Sequence, residues 1–122
     1  MTPSPKELAL KIAEILYNKK AQNIEVLEVG VLSTLTQFFV IAGGNTTTQV
    51  KALADETEDK LSEIGIVPSG KEGYRSAGWV LLNYDSVLVH IFTPEMRTLY
   101  QLERLWGDAP ALDLTELFDE NK

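Results

Sequence analysis

The chain has 122 residues, 44% of them hydrophobic and 24% charged, which describes one soluble domain with a single core. It has no cysteine and one histidine, so disulfides, thiol catalysis, thiolate-held zinc, iron–sulfur clusters and a multi-histidine metal site within one chain are excluded. A net charge of −7 argues against phosphate backbones and anionic membranes as partners.

The first element predicted is a helix in "SPKELALKIAEILYNKK". Ser4, Pro5 and Glu7 make a capping box, and Leu8, Ile12, Ile15 and Leu16 share one face. "NIEVLEVGVL" then switches to a strand pattern, and "LTQFFVIAGG" reads as a second, more buried strand ended by Gly43 and Gly44. The next helix has a stripe of Val50, Leu53, Ala54, Thr57, Leu61 and Ile64, with a cap at Asn45/Thr46 and a stop at Gly65. "VPSGKEGYRSAG" is a glycine-rich connection with room for a short extended piece. "WVLLNYDSVLVHIF" reads as a hairpin turning at Asp85-Ser86. Thr93 and Pro94 start a helix that runs through Trp106 to a stop at Gly107. The order predicts an α/β domain, a mixed β-sheet flanked by helices, over residues 1–110. Residues 111–122 read as an acidic C-terminal tail, expected to be solvent-exposed and dispensable, although its stripe of Leu112, Leu114, Leu117 and Phe118 offers something to dock.

No apolar run approaches the roughly 18 residues of a membrane span, and the N-terminus lacks a secretory pattern. The expected location is cytoplasmic, or that of a mature organelle protein.

Three stretches bear on function. "VIAGGNTTTQV" brings glycines to a helix N-terminus, which suits a phosphate, yet neither nucleotide fingerprint is present. Such a turn more often only reverses the chain. A nucleotidyl transferase would need paired acids on a neighbouring strand to hold Mg²⁺; that strand offers uncharged Asn83 and, at the turn, Asp85. No metal or other cofactor is expected. His90 as a general base lacks a nucleophile motif beside it. The third candidate is an apolar surface. With Asp85 and Ser86 in the turn, Leu82 faces Val89 and Val80 faces Ile91 on a core-like side. The other side pairs Trp79 with Phe92, Leu81 with His90 and Asn83 with Leu88. Aromatic, partly polar surfaces of this kind favour interfaces; equally, a helix of the same chain covers many such faces. Pattern alone leaves both readings open.

In the last helix, Leu99, Leu102 and Trp106 fit one face, and Leu105 does not. They are expected to pack on the sheet. Arg97 then falls in the first turn, where the helix dipole disfavours a cation, so a carboxylate partner is expected, with Glu72 and Glu103 the candidates. That makes Arg97 either a structural tie or a partner contact.

"FFVIAGGNTTTQVKALAD", "KEGYRSAGWVLLNYDSVLVHIF" and "PEMRTLYQLERLWGDAP" together resemble the ribosomal silencing factor family, also called the Iojap family, from about Lys6 to Pro110. Gln37 and Asn83 stand where that family usually has aspartate, and Thr46 where it has serine. The resemblance implies a nucleotidyltransferase-like fold without the catalytic acids and a non-enzymatic role. It implies binding to the large ribosomal subunit through its ribosomal protein fourteen, steric block of small-subunit joining, repressed translation, and homodimer formation. No direct nucleic-acid or membrane binding is expected. An acidic factor suits a basic ribosomal protein and is repelled by surrounding RNA. The expected partner-binding residues are Glu72, Trp79, Leu81, Asn83, Leu88, His90, Phe92, Arg97 and Glu103. The alternative is a divergent nucleotide-binding or nucleotidyl transferase enzyme using the Gly43-Gly44 turn.

Overall fold

A computed structural model describes residues 3–32, 34–76 and 78–119, without the side chains of residues 103, 116 and 119. Helix α1 (Pro5–Asn18) opens on the expected capping box. Ser4 Oγ accepts from the Glu7 amide at 3.1 Å, and Glu7 Oε1 accepts from the Ser4 amide at 2.8 Å. Those bonds to Ser4 favour the ionised carboxylate and hold the Glu7 carboxyl below its ordinary value. Strand β1 (Gln22–Leu27) pairs antiparallel with β2 (Phe38–Gly43). Helix α2 (Thr47–Ser62) follows, capped by Thr46 Oγ1 on the Gln49 amide. Glycine suits position 44 at its entrance, since a Cβ there would crowd the Val50 amide nitrogen at 3.0 Å.

The rest of the sheet comprises β3 (Gly70–Glu72), β4 (Trp79–Asn83) and β5 (Val87–Phe92). The order is β1-β2-β5-β4-β3, with β2 and β5 parallel and the other neighbours antiparallel. The expected mixed sheet is present, and so is the expected hairpin register. Trp79 pairs with Phe92, Val80 with Ile91, Leu81 with His90, Leu82 with Val89 and Asn83 with Leu88. Asp85, in the turn, takes φ 65°. Strand β2, between β1 and β5, is buried along its whole length, because both sheet faces are covered there.

On one face lies the main core. Leu8, Ile12 and Leu16 of α1 and Val50, Leu53 and Leu61 of α2 pack on Val26, Val40, Val80, Leu82, Val89 and Ile91. On the other face a smaller cluster joins Leu27, Val29, Phe39, Ile41, Phe92 and Ala109, with Trp79, Leu88, Met96, Leu102 and Trp106 at its margin.

Four expectations need correction. The first strand ends at Leu27 because Val29 turns into the smaller cluster through a short 3-10 turn, Val29–Val31, which leaves Val31 and Leu32 exposed. Ile64 leaves the α2 stripe: it falls beyond the helix end and is exposed. The helix after Pro94 is two pieces, α3 (Pro94–Tyr100) and α4 (Leu102–Leu105), divided by Gln101 in the left-handed region. Last, the tail is not left in solvent. Residues 110–112 lie against β1 through one antiparallel bridge, Ala111 to Leu27, with Pro110 O accepting from the Glu28 amide and the Leu112 amide donating to Val26 O. Leu114 is buried in the main core, and Phe118 of α5 (Thr115–Asp119) stacks on Tyr17 of α1 at 4.1 Å. The stripe docks because burying it outweighs the cost of ordering a short segment, and it also covers an exposed sheet edge.

Candidate functional site

The smaller cluster is built around Trp79. Strand alternation puts Trp79, Leu81 and Asn83 of β4 on the face opposite the main core, beside Leu88, His90 and Phe92 of β5. The Trp79 ring stacks on Phe92, with centroids 5.1 Å apart, and also meets Tyr100 of α3 at 4.5 Å. Its Nε1 donates to His90 Nδ1 at 3.2 Å. An indole N–H only donates, so Nδ1 of His90 carries the lone pair. His90 in turn meets the edge of Phe39 at 4.6 Å, and Phe39 meets Trp106 at 5.2 Å. The aromatic residues thus lock α3 and α4 onto the sheet at two separate points.

The same chain covers the central part of this face. His90 is only 5% exposed and Phe92 1%. Both were expected to touch a partner; in the free chain they support the surface from behind. Trp79, Leu81, Asn83 and Leu88 are half-buried. Asn83 spends its Oδ1 on the Asp85 amide, so its polar tip serves the turn. Glu72 is exposed on the edge strand, in register with Leu81, and so stands at the rim of this face. The Glu103 side chain lies outside the described residues.

Among the described residues the carboxylate that pairs with Arg97 is Glu25, which was not one of the two candidates; the Glu103 side chain lies outside them. Arg97 Nη2 donates to Glu25 Oε2 of β1 at 3.1 Å. The side chain, 16% exposed, passes over the end of β2, near enough that a Cβ on Gly43 would lie 3.6 Å from Nη1. Long-range pairing across the sheet edge was not readable from local spacing. The dipole argument also reverses, because α3 has only seven residues and Arg97 lies in its last turn. Arg97 is therefore a tie from α3 to the edge strand.

Opposite the tie, the chain presents residues that the helical pattern had assigned to packing or left unplaced. Leu99 is 70% exposed, Tyr100 41% and Leu105 73%. With Gln101 and Arg104 they line a shallow hollow of about 470 Å³. Leu99 had been expected on the sheet beside Leu102 and Trp106; those two do pack there, and the break at Gln101 turns Leu99 outward. The readable clue was that Leu99, Leu102, Leu105 and Trp106 cannot all share one helical face.

The loop leading into β4 is held separately. Tyr74 donates to Glu58 of α2 at 2.6 Å, and Lys71 pairs with the same carboxylate at 3.4 Å while lying over the Tyr74 ring. Burial first, then Glu58, pushes the Tyr74 phenol well above its ordinary value; burial does the same for Tyr84. Gly73 has φ 86°, and a Cβ there would overlap the Trp79 carbonyl oxygen. Only glycine fits. Among the described residues no group of three or more histidine, aspartate or glutamate side chains is placed to hold a metal ion, and no helix is long and apolar enough to cross a membrane.

Comparison with known proteins agrees with the resemblance and extends it past Pro110. The family model described as ribosomal silencing factor during starvation matches residues 2–122. The chain is 42% identical over 106 residues to the ribosomal silencing factor of Bacillus subtilis, covering 86% of this chain and 90% of that one. It is 39% identical over 111 residues to that of Halalkalibacterium halodurans, covering 91% and 95%. A crystal structure of a protein from Chromobacterium violaceum superposes with a TM-score of 0.83 at 36% identity, covering 86% of this chain and 88% of that one. The chain belongs to the family of ribosomal silencing factors.

Proposed function

We propose that this chain binds the large ribosomal subunit through the elbow formed by α3 and α4, meets large-subunit ribosomal protein fourteen there, and blocks the small subunit from joining. Translation is repressed by occupancy alone, in the cytoplasm, and no catalytic step is involved. The observation that carries the reading is the elbow itself. Two leucines and a tyrosine stand exposed there, and the tyrosine rests against Trp79, itself stacked on Phe92, as an aromatic anchor of an interface would. Leu99, Tyr100 and Leu105 supply the dry centre. Trp79 meets Tyr100, and Leu81, Asn83 and Leu88 share the Trp79 face of the sheet, with Glu72 on its edge strand.

A standard contact buries about 800 Å² on each partner, which a domain of this size can provide. The net charge of −7 favours a basic ribosomal protein over the RNA around it. His90 and Phe92 hold Trp79 from behind, and Arg97 holds α3 to the edge strand, so these three act through the surface.

Cosedimentation with isolated large subunits tests the reading. Binding that survives RNA competitor and crosslinks to ribosomal protein fourteen supports it. Absence of binding, or crosslinks confined to RNA, overturns it. Sedimentation of the free chain tests the homodimer that the family resemblance also implies.

A further inference from the structure

Gln101 occupies an unusual position. It sits at φ 47° and ψ 52°, in the left-handed region, where crowding of Cβ against the backbone disfavours every residue with a side chain. Glycine and asparagine tolerate it best, and glutamine has no such allowance. The same residue ends one helix and begins the next. Its amide donates to Arg97 O at 2.9 Å, and its carbonyl accepts from the Arg104 and Leu105 amides at 3.0 and 3.1 Å. Its Oε1 also meets Arg104 Nη1 at 3.5 Å.

Without this break the helix would run on, and Leu99, Leu102 and Trp106, three and four residues apart, would share one face. Leu102 and Trp106 are already committed to the sheet, so a continuous helix would carry Leu99 inward. One left-handed residue resets the phase between the two pieces. Each piece is then anchored separately, α3 by Tyr100 on Trp79 and α4 by Trp106 on Phe39.

We propose that Gln101 is a positioning residue for partner binding, whose left-handed backbone keeps Leu99 and Leu105 together on the outer side of the elbow. This rests on the elbow being the docking face. Gln101 needs no contact with the partner, because it acts through the two leucines. Strain held at one residue in this way is common where a surface must be kept in one shape.

The test separates the geometry from the docking. The chain has no cysteine, so Leu99→Cys introduces a single thiol whose alkylation by iodoacetamide reports exposure at that position. Gln101→Val and Gln101→Thr put a β-branched side chain at a positive φ and disfavour the left-handed conformation beyond glutamine, whereas Gln101→Gly accepts it. In the Leu99→Cys background, the valine and threonine variants are expected to slow alkylation on the order of fivefold. With Leu99 restored, they are expected to weaken cosedimentation with large subunits about tenfold. The glycine variant keeps both within about twofold and melts no lower than the parent. Unchanged alkylation in folded valine or threonine variants overturns the proposal. If valine does not fold, threonine and glycine decide, and equal loss of binding in those two overturns it as well. Slowed alkylation with unchanged binding leaves the elbow geometry standing and sinks the docking reading instead.

Discussion

Trp79→Phe isolates one interaction of the site and gives its size. Phenylalanine keeps a ring against Phe92 and Tyr100, so most of the stacking at 5.1 and 4.5 Å survives. What goes is the indole donor to His90 Nδ1, which lies 3.2 Å away in a residue only 5% exposed. A buried acceptor that loses its donor costs about 1–3 kcal/mol. The half-buried position of Trp79 lets some water approach, so about 1–2 kcal/mol is expected here. Trp79→Ala removes the stacking too. Fully buried aromatic truncations cost about 3–5 kcal/mol, and partial exposure puts this one near the lower end. Against a typical stability of about 5–15 kcal/mol both variants should fold at room temperature. Urea unfolding followed through the fluorescence of Trp106 measures the difference, and the double variant Trp79→Phe with His90→Phe isolates the pair by its coupling energy. If Trp79→Phe unfolds at the same urea concentration as the parent, the indole–imidazole bond contributes nothing and the account of how the surface is held is wrong.

Leu114→Ala should cost about 2–3 kcal/mol, because the side chain is buried in the main core; melting within a degree of the parent would show that the tail is dispensable after all. Arg97→Met should cost about 1 kcal/mol, discounted because the Glu25 side chain is 42% exposed, and thermal melting of Arg97→Met, Glu25→Gln and the double variant should show losses that do not add. Ser4→Ala should cost about 1 kcal/mol near neutral pH. The Glu7 pKa is lowered in the folded chain, first by the Ser4 backbone amide, which Ser4→Ala keeps, so its contribution is present above the unfolded value and is lost as pH falls through the folded one; the deficit of Glu7→Gln, read by thermal melting, should therefore shrink in acid.

What was legible in the sequence was local. The register of β4 and β5 follows from a two-residue turn and strict alternation, and every pair from Trp79–Phe92 to Asn83–Leu88 falls where alternation puts it. Ser4, Pro5 and Glu7 state the start of α1 within four residues. The site depended on contacts between distant parts of the chain. Helical periodicity around Leu99 could not reveal that Tyr100 would be held by Trp79 and Trp106 by Phe39, which together require the break at Gln101. Arg97 and Glu25 are 72 residues apart, so no local rule links them. The tail misled for another reason. Its acidic residues suggested solvent, while Leu114 had a core and Phe118 the Tyr17 ring to meet.

Subunit joining gives the most direct test of the central claim. Isolated small and large subunits are mixed at magnesium concentrations that permit association, and light scattering follows joining as the chain is added. The parent chain should lower the joined fraction in proportion to its occupancy of the large subunit. The variant carrying both Leu99→Asp and Leu105→Asp should melt like the parent, since both positions are exposed, yet leave joining unaffected. Joining that proceeds unchanged in the presence of the parent chain, or an equal block by the double variant, would contradict the account.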